Sequence, residues 1–110
     1  VDAMRRVGWQ MQVRKDKVEE YKEAHRNVWP ELLAILTKHG WHRYSIFMNE
    51  DAVVFGYFET DSDFETALKG FLSEEVTARW GEAMGDLVEI PEGSEPQDVI
   101  VELEEVFHLD

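Results

Sequence analysis

The chain has 110 residues, 11 basic against 24 acidic side chains, a formal charge of −13 and no cysteine. This excludes disulfides, a thiolate nucleophile and a cysteine-ligated metal, and it argues against nucleic acid and anionic membranes, whose phosphates an acidic surface repels. The length suits one domain over 1–110, burying about 60–70% of its unfolded surface without a staple.

In chain order, Arg5–Val13 alternates Val7, Trp9, Met11 and Val13 with Arg6, Gly8, Gln10 and Gln12, the two-residue period of a strand. The period then lengthens. Val18, Tyr21, His25, Val28, Trp29, Leu32, Leu33 and Leu36 fall three or four apart, which predicts a helix. Asp16 is its expected N-cap, with Glu19 three residues on, and Gly40 its expected stop. Pro30 predicts a break near 27–30. Segments 41–49 and 52–59 are aromatic and β-branched, and Glu50–Asp51 between them suits a tight hairpin. A second helical region follows, capped by Asp61 or Ser62. Ser73 is expected to cap a new segment carrying Val76, Trp80, Ala83, Met84 and Leu87 on one stripe. "PEGSEPQD" at 91–98 reads as a surface loop. Segment 99–109 predicts a last strand, with Val101, Leu103, Phe107 and Leu109 on one face.

The order β-α-β-β-α-β is the ferredoxin-like arrangement, an α+β fold with a four-stranded antiparallel sheet. Helices cover one sheet face and leave the other bare. Strict alternation places Tyr44 with His42, Ile46 and Met48 toward the helices, and Trp41 and Phe47 outward. An outward apolar patch of that kind marks an interface, so a face-to-face homodimer is expected. No run approaches the ~20 apolar residues of a membrane span, and the N-terminus lacks an apolar signal core. A cytoplasmic location is therefore expected, with Val1–Ala3 read as a remnant before a natural start at Met4.

Candidate chemistry gathers on the first helix. His25 is either a core histidine or a general acid–base, since imidazole exchanges protons near neutral pH. Tyr21 lies one turn earlier on the same face, and Trp29 offers an apolar wall. Trp80 reads first as a core residue and otherwise as a stacking ring, and Tyr44 reads equally as a half-buried strand tyrosine or as a hydroxyl contact for a small polar ligand. The four histidines show no metal-binding spacing. The acidic pairs at 19–20, 74–75 and 104–105 read as solvated faces.

Several motifs occur together in order: "MQV" in the first strand, Y-x-x-x-H-x-x-x-W-P-E-L over 21–32, HG-x-H-x-Y over 39–44, "RW" at 79–80 and EVF-x-L over 105–109. In these the chain resembles the L-rhamnose mutarotases from near one end to the other. The resemblance implies a ferredoxin-like subunit in a dimeric α/β barrel. It implies interconversion of the α and β anomers of L-rhamnose with no metal or organic cofactor. By matched position it makes His25 the proton donor, Tyr21 and Tyr44 sugar-binding residues, and Trp80 the first of two adjacent sugar-binding tryptophans. The second of that pair is absent here, where Gly81 stands. A larger sugar, or weaker binding of rhamnose, is the expectation this vacancy raises, unless Trp9 or Trp41 fills it. Two other classes are carried as alternatives: a haem-degrading or antibiotic-type monooxygenase with a similar barrel, and a non-catalytic small-ligand-binding module.

Overall fold

The computed structural model describes residues 4–89 and 99–110. The expected loop at 91–98 and the three residues before Met4 lie outside the described residues. Among those residues the order is β1 (Arg5–Gln12), α1 (Val18–Arg26), α2 (Pro30–Lys38), β2 (His42–Met48), β3 (Val53–Thr60), α3 (Phe64–Leu72), α4 (Glu75–Met84) and β4 (Val101–Leu103). The strands form one antiparallel sheet in the order β2-β3-β1-β4. This is the ferredoxin-like arrangement expected from the order of patterns.

Alternation along β1 and β3 builds the sheet's inner face. Val7 lies opposite Phe58, Trp9 opposite Gly56 and Met11 opposite Val54. Val7, Trp9, Val54 and Phe58 are all buried, with Tyr21, Phe64, Ala67, Leu68 and Met84 packed over them from the helices. The opposite face carries Phe47, Phe55, Val101 and Leu103, and Phe47 is 64% exposed.

Pro30 breaks the first helical region as expected. α1 ends at Arg26, and α2 starts with Pro30 in its first turn, after Trp29 in extended conformation. A residue before proline avoids the helical region, so the break falls there. Gly40 has φ +83° and ends α2. A Cβ on Gly40 would also lie 2.8 Å from Thr60 Oγ1, so glycine is needed on two counts.

The expected caps are displaced. Asp16 does not cap α1: Lys15–Lys17 forms a short 3₁₀ turn, and Asp16 pairs with Arg14 Nη2 at 3.3 Å. Neither Asp61 nor Ser62 caps α3. Asp63 does, accepting from the Thr66 N–H at 2.7 Å. That bond holds its carboxyl below the usual range. Ser73 ends α3 instead of starting α4, its hydroxyl donating to the Gly70 carbonyl at 2.7 Å. On α4, Val76 and Met84 are buried as the stripe predicts, Ala83 is exposed, and Leu87 is buried just past the helix end.

The hairpin turn is longer than two residues. Asn49 Oδ1 accepts from the Asp51 and Val53 amides, and Ala52 takes a positive φ of 63°. β2 also carries a bulge between His42 and Ser45, where Arg43 has φ 52°. One extra residue reverses the alternation. Trp41 therefore faces inward with Tyr44, correcting the outward assignment, and His42, opposite Glu59, leaves Tyr44's face. Trp41 stacks on Phe58 at 4.0 Å between ring centroids and donates to the Ala67 carbonyl at 3.1 Å.

The last strand is shorter than its pattern. β4 covers only Val101–Leu103, and Val106, Phe107 and Leu109 beyond it are exposed, Phe107 by 79%. Among the described residues no second layer covers this apolar set. Two of the acidic residues expected to be solvated hold elements together. Glu105 accepts two bonds from the Arg6 guanidinium, at 2.7 and 3.0 Å. Glu74 joins Lys38 at 2.9 Å and His39 Nε2 at 2.6 Å, tying the end of α2 to the start of α4.

Candidate active site

A cavity of about 520 Å³ opens between the inner sheet face and helices α1, α2 and α4. This is an ordinary size for a small-molecule pocket. Each element contributes by its own period. The three-to-four-residue spacing of α1 turns Tyr21 and His25 inward together. β2 supplies Tyr44, which alternates in phase with Ile46 and Met48. α4 supplies Thr77, Trp80 and Gly81 from one face. All of these line the same cavity, with Trp9 from β1.

The aromatic groups form a connected row. Tyr21 and His25 stack at 4.3 Å, His25 meets Trp80 edge-on at 5.7 Å, and Trp80 meets Trp29 edge-on at 5.1 Å. Trp29 is thus a brace behind Trp80 and does not line the main cavity, so it is not the wall expected from its spacing. Trp9 and Trp41 lie on either side of Tyr44, at 6.3 and 5.1 Å.

His25 is half-buried, and its Nδ1 lies 2.9 Å from the Tyr21 carbonyl oxygen. A carbonyl only accepts, so Nδ1 carries the proton and donates. The exchangeable position is then Nε2, which has no hydrogen-bond partner among the described residues. Burial pushes both phenols well above the ordinary tyrosine range. For Tyr44 the neighbouring Tyr21 phenol adds to the rise, and the Trp9 indole opposes it. Both tyrosines therefore stay neutral at physiological pH, each able to donate one hydrogen bond and accept others. His25, Tyr21 and Tyr44 present proton-exchanging and hydroxyl groups to one largely apolar space, and Trp80 presents a ring. Such a set can hold a sugar by its hydroxyls and apolar face and move protons on it.

At Gly81 a Cβ would meet nothing within 4 Å, so the cavity wall is open there. Trp9 and Thr77 were not singled out from spacing as site residues, because a strand tryptophan and a helical threonine read first as packing. The available signal for Trp9 was Gly56, an isolated glycine inside a strand pattern, which marks close approach.

The L-rhamnose mutarotase family model matches residues 6–109. The chain belongs to the L-rhamnose mutarotase family. An L-rhamnose mutarotase from Bacillus subtilis (strain 168) is 38% identical over 108 residues, covering 97% of this chain and all of the relative. One from Pectobacterium atrosepticum is 35% identical with the same coverage. The crystal structure of an L-rhamnose mutarotase from Formosa agariphila superposes with a TM-score of 0.79 at 29% identity, over 96% of this chain and 99% of that one. A dimeric ferredoxin-like protein from an uncultured marine organism shares the fold, with a TM-score of 0.54 at 14% identity. The family read from the helix-one motif and the shorter motifs is the family found. It favours the mutarotase over the monooxygenase and the non-catalytic module.

Proposed function

We propose that His25, Tyr21, Tyr44 and Trp80 are the machinery with which this L-rhamnose mutarotase, an isomerase, interconverts the α and β anomers of L-rhamnose. The observation that carries the assignment is the bond from His25 Nδ1 to the Tyr21 carbonyl. It holds the imidazole in one orientation and reserves Nε2 for the substrate.

Exchange of anomers requires the ring oxygen to gain a proton while the anomeric hydroxyl loses one. The C1–O5 bond breaks, the aldehyde rotates about C1–C2, and closure on its other face returns the protons. Protonated His25 gives its Nε2 proton to the ring oxygen. The anomeric proton passes to a phenol oxygen as that phenol gives its own proton to the Nε2 that His25 has just vacated, so neither tyrosine has to ionise and His25 ends as it began. Trp80 stacks against the apolar side of the sugar. Mutarotation already proceeds in water, so a large acceleration is not required. A positioned general acid supplies about 10²–10⁴-fold, roughly 3–5 kcal/mol off the barrier. No step calls for a metal or organic cofactor.

The test is saturation transfer in NMR of L-rhamnose with catalytic protein. Irradiating one anomeric proton should transfer saturation to the other anomer at a rate set by the protein and lost in His25→Ala. Equal transfer by His25→Ala would remove His25 from the role. Transfer with another sugar but not rhamnose would keep the chemistry and move the substrate.

The working unit in this reading is a homodimer acting in the cytoplasm. Two observations support the pairing: the apolar outer sheet face at Phe47, Phe55, Val101 and Leu103, and the exposed Val106, Phe107 and Leu109. A patch of this kind is a common interface. For the location, among the described residues no helix is long and apolar enough to cross a membrane, and the absence of cysteine fits a reducing compartment.

A further inference from the structure

Among the described residues, two buried polar side-chain atoms have no hydrogen-bond partner in the protein: Trp9 Nε1 and Thr77 Oγ1. Both residues line the cavity. A hydroxyl can turn to find a partner, but an indole N–H is a donor alone and points where its ring points. The Trp9 ring is held firmly. It is 2% exposed and lies flat over Gly56, its neighbour across β1 and β3. Any Cβ on Gly56 would overlap the Cε2, Cζ2 and Nε1 atoms of that indole. The glycine therefore makes room for this one ring, and the ring keeps a buried donor without a partner. Such orphans are rare because leaving a buried donor unpaired is costly, and they call for an explanation.

The aromatic neighbour that carries an acceptor is Tyr44. The two rings lie 6.3 Å apart and tilted by 54°, both facing the cavity. Burial raises the Tyr44 phenol, and the Trp9 indole opposes that rise.

We propose that Trp9 is a positioning residue for anomer exchange: its indole N–H donates to the Tyr44 hydroxyl oxygen in the sugar-bound state and turns the single Tyr44 O–H toward a sugar oxygen. The polarity follows from the donor's nature. A phenol that accepts from Trp9 keeps its own proton for the other side, which is the cavity. A donor-only neighbour thus makes Tyr44 a hydrogen-bond donor to the sugar, and successive bonds in such a row strengthen one another. The proposal rests on the reading of Tyr44 as a sugar-binding residue.

A double-mutant cycle tests it, with the exchange rate of L-rhamnose measured for the native protein, Trp9→Phe, Tyr44→Phe and the double variant. Loss of one neutral hydrogen bond is expected to lower kcat/KM about three- to tenfold in Trp9→Phe. In the Tyr44→Phe background the same change should cost under about twofold, since the partner is already gone. In the native protein the Trp9 indole proton should also move downfield when L-rhamnose saturates the site, and should stay in place in Tyr44→Phe. Equal losses in both backgrounds, or no loss in Trp9→Phe, would overturn the proposal while a damaged Tyr44→Phe left the site reading standing. An undamaged Tyr44→Phe would take Tyr44 out of the site and overturn both. If Trp9→Phe does not fold, benzothienylalanine at position 9 keeps the ring shape without the N–H and gives the same cycle.

Discussion

The Nδ1 atom of His25 donates to the backbone carbonyl of Tyr21 at 2.9 Å, one helical turn back along α1. The same two residues stack ring on ring at 4.3 Å. A bond within a single helix needs no tertiary partner to set the tautomer, so the imidazole is oriented wherever α1 goes. His25→Ala should lose about 10²–10⁴-fold of the catalysed exchange with the circular dichroism of the fold unchanged. Saturation-transfer NMR measures the first and melting curves the second. Activity within twofold of native would count against the assignment.

Alkaline pH should unfold the protein through its buried phenols. Tyr21 and Tyr44 are both raised by burial. In the unfolded chain they ionise near the ordinary value of about 10. Above that pH the unfolded state has released protons that the folded state still holds, so stability falls as pH rises. Loss of fold should set in from about pH 10 upward, with phenolate absorbance rising together with the loss of structure. Tyr21→Phe should make the dependence shallower. Phenolate absorbance rising well before unfolding would contradict this.

Gly81 is open on its cavity side. Gly81→Trp should fit there and tighten L-rhamnose binding by adding a ring contact next to Trp80. Titration calorimetry reads the change, and unchanged affinity would mean the vacancy does not matter. Gly81→Ala should stabilise α4 by about 0.5–1 kcal/mol, because a mid-helix glycine has more backbone freedom to lose.

Phe47 stands on the outer sheet face, 64% exposed. In the proposed dimer it is covered, and a carboxylate there would be desolvated without a partner. Phe47→Asp should shift the mass from dimer to monomer in light scattering after gel filtration. A monomeric native protein would reject the pairing directly.

The α3 cap separates two neighbours in sequence. Asp63 accepts from the Thr66 amide at 2.7 Å, while Asp61 caps nothing. Asp63→Ala should lower Tm and Asp61→Ala should leave it unchanged. The stabilising bond belongs to the carboxylate, whose pKa is lowered on folding. Its contribution is therefore present above the ordinary carboxyl range and lost as pH falls through the folded value, so the gap between native protein and Asp63→Ala should close in acid.

Periodicity carried the element order. Two-residue alternation in Arg5–Val13 and three-to-four-residue spacing in Tyr21–Leu36 are local properties, and so are the break before Pro30 and the stop at Gly40. The same spacing was enough to bring Tyr21 and His25 to one face, and the run from Tyr21 to Leu32, with the shorter motifs in order, was enough to name the family. Chain folding decided what depends on residues distant in sequence. The β2 bulge moved Trp41 inward because a strand's phase is set by its pairing with β3, which no local pattern records. Asp63 won the cap over Asp61 and Ser62 because the helix start follows how α3 packs on the sheet. The apolar pattern of 99–109 shrank to a three-residue strand, since a pattern needs a second layer to bury it and the described residues supply none. The pairing of Trp9 with Gly56, 47 positions apart, arose from sheet register alone. That register leaves an indole donor beside Tyr44 at the floor of the cavity.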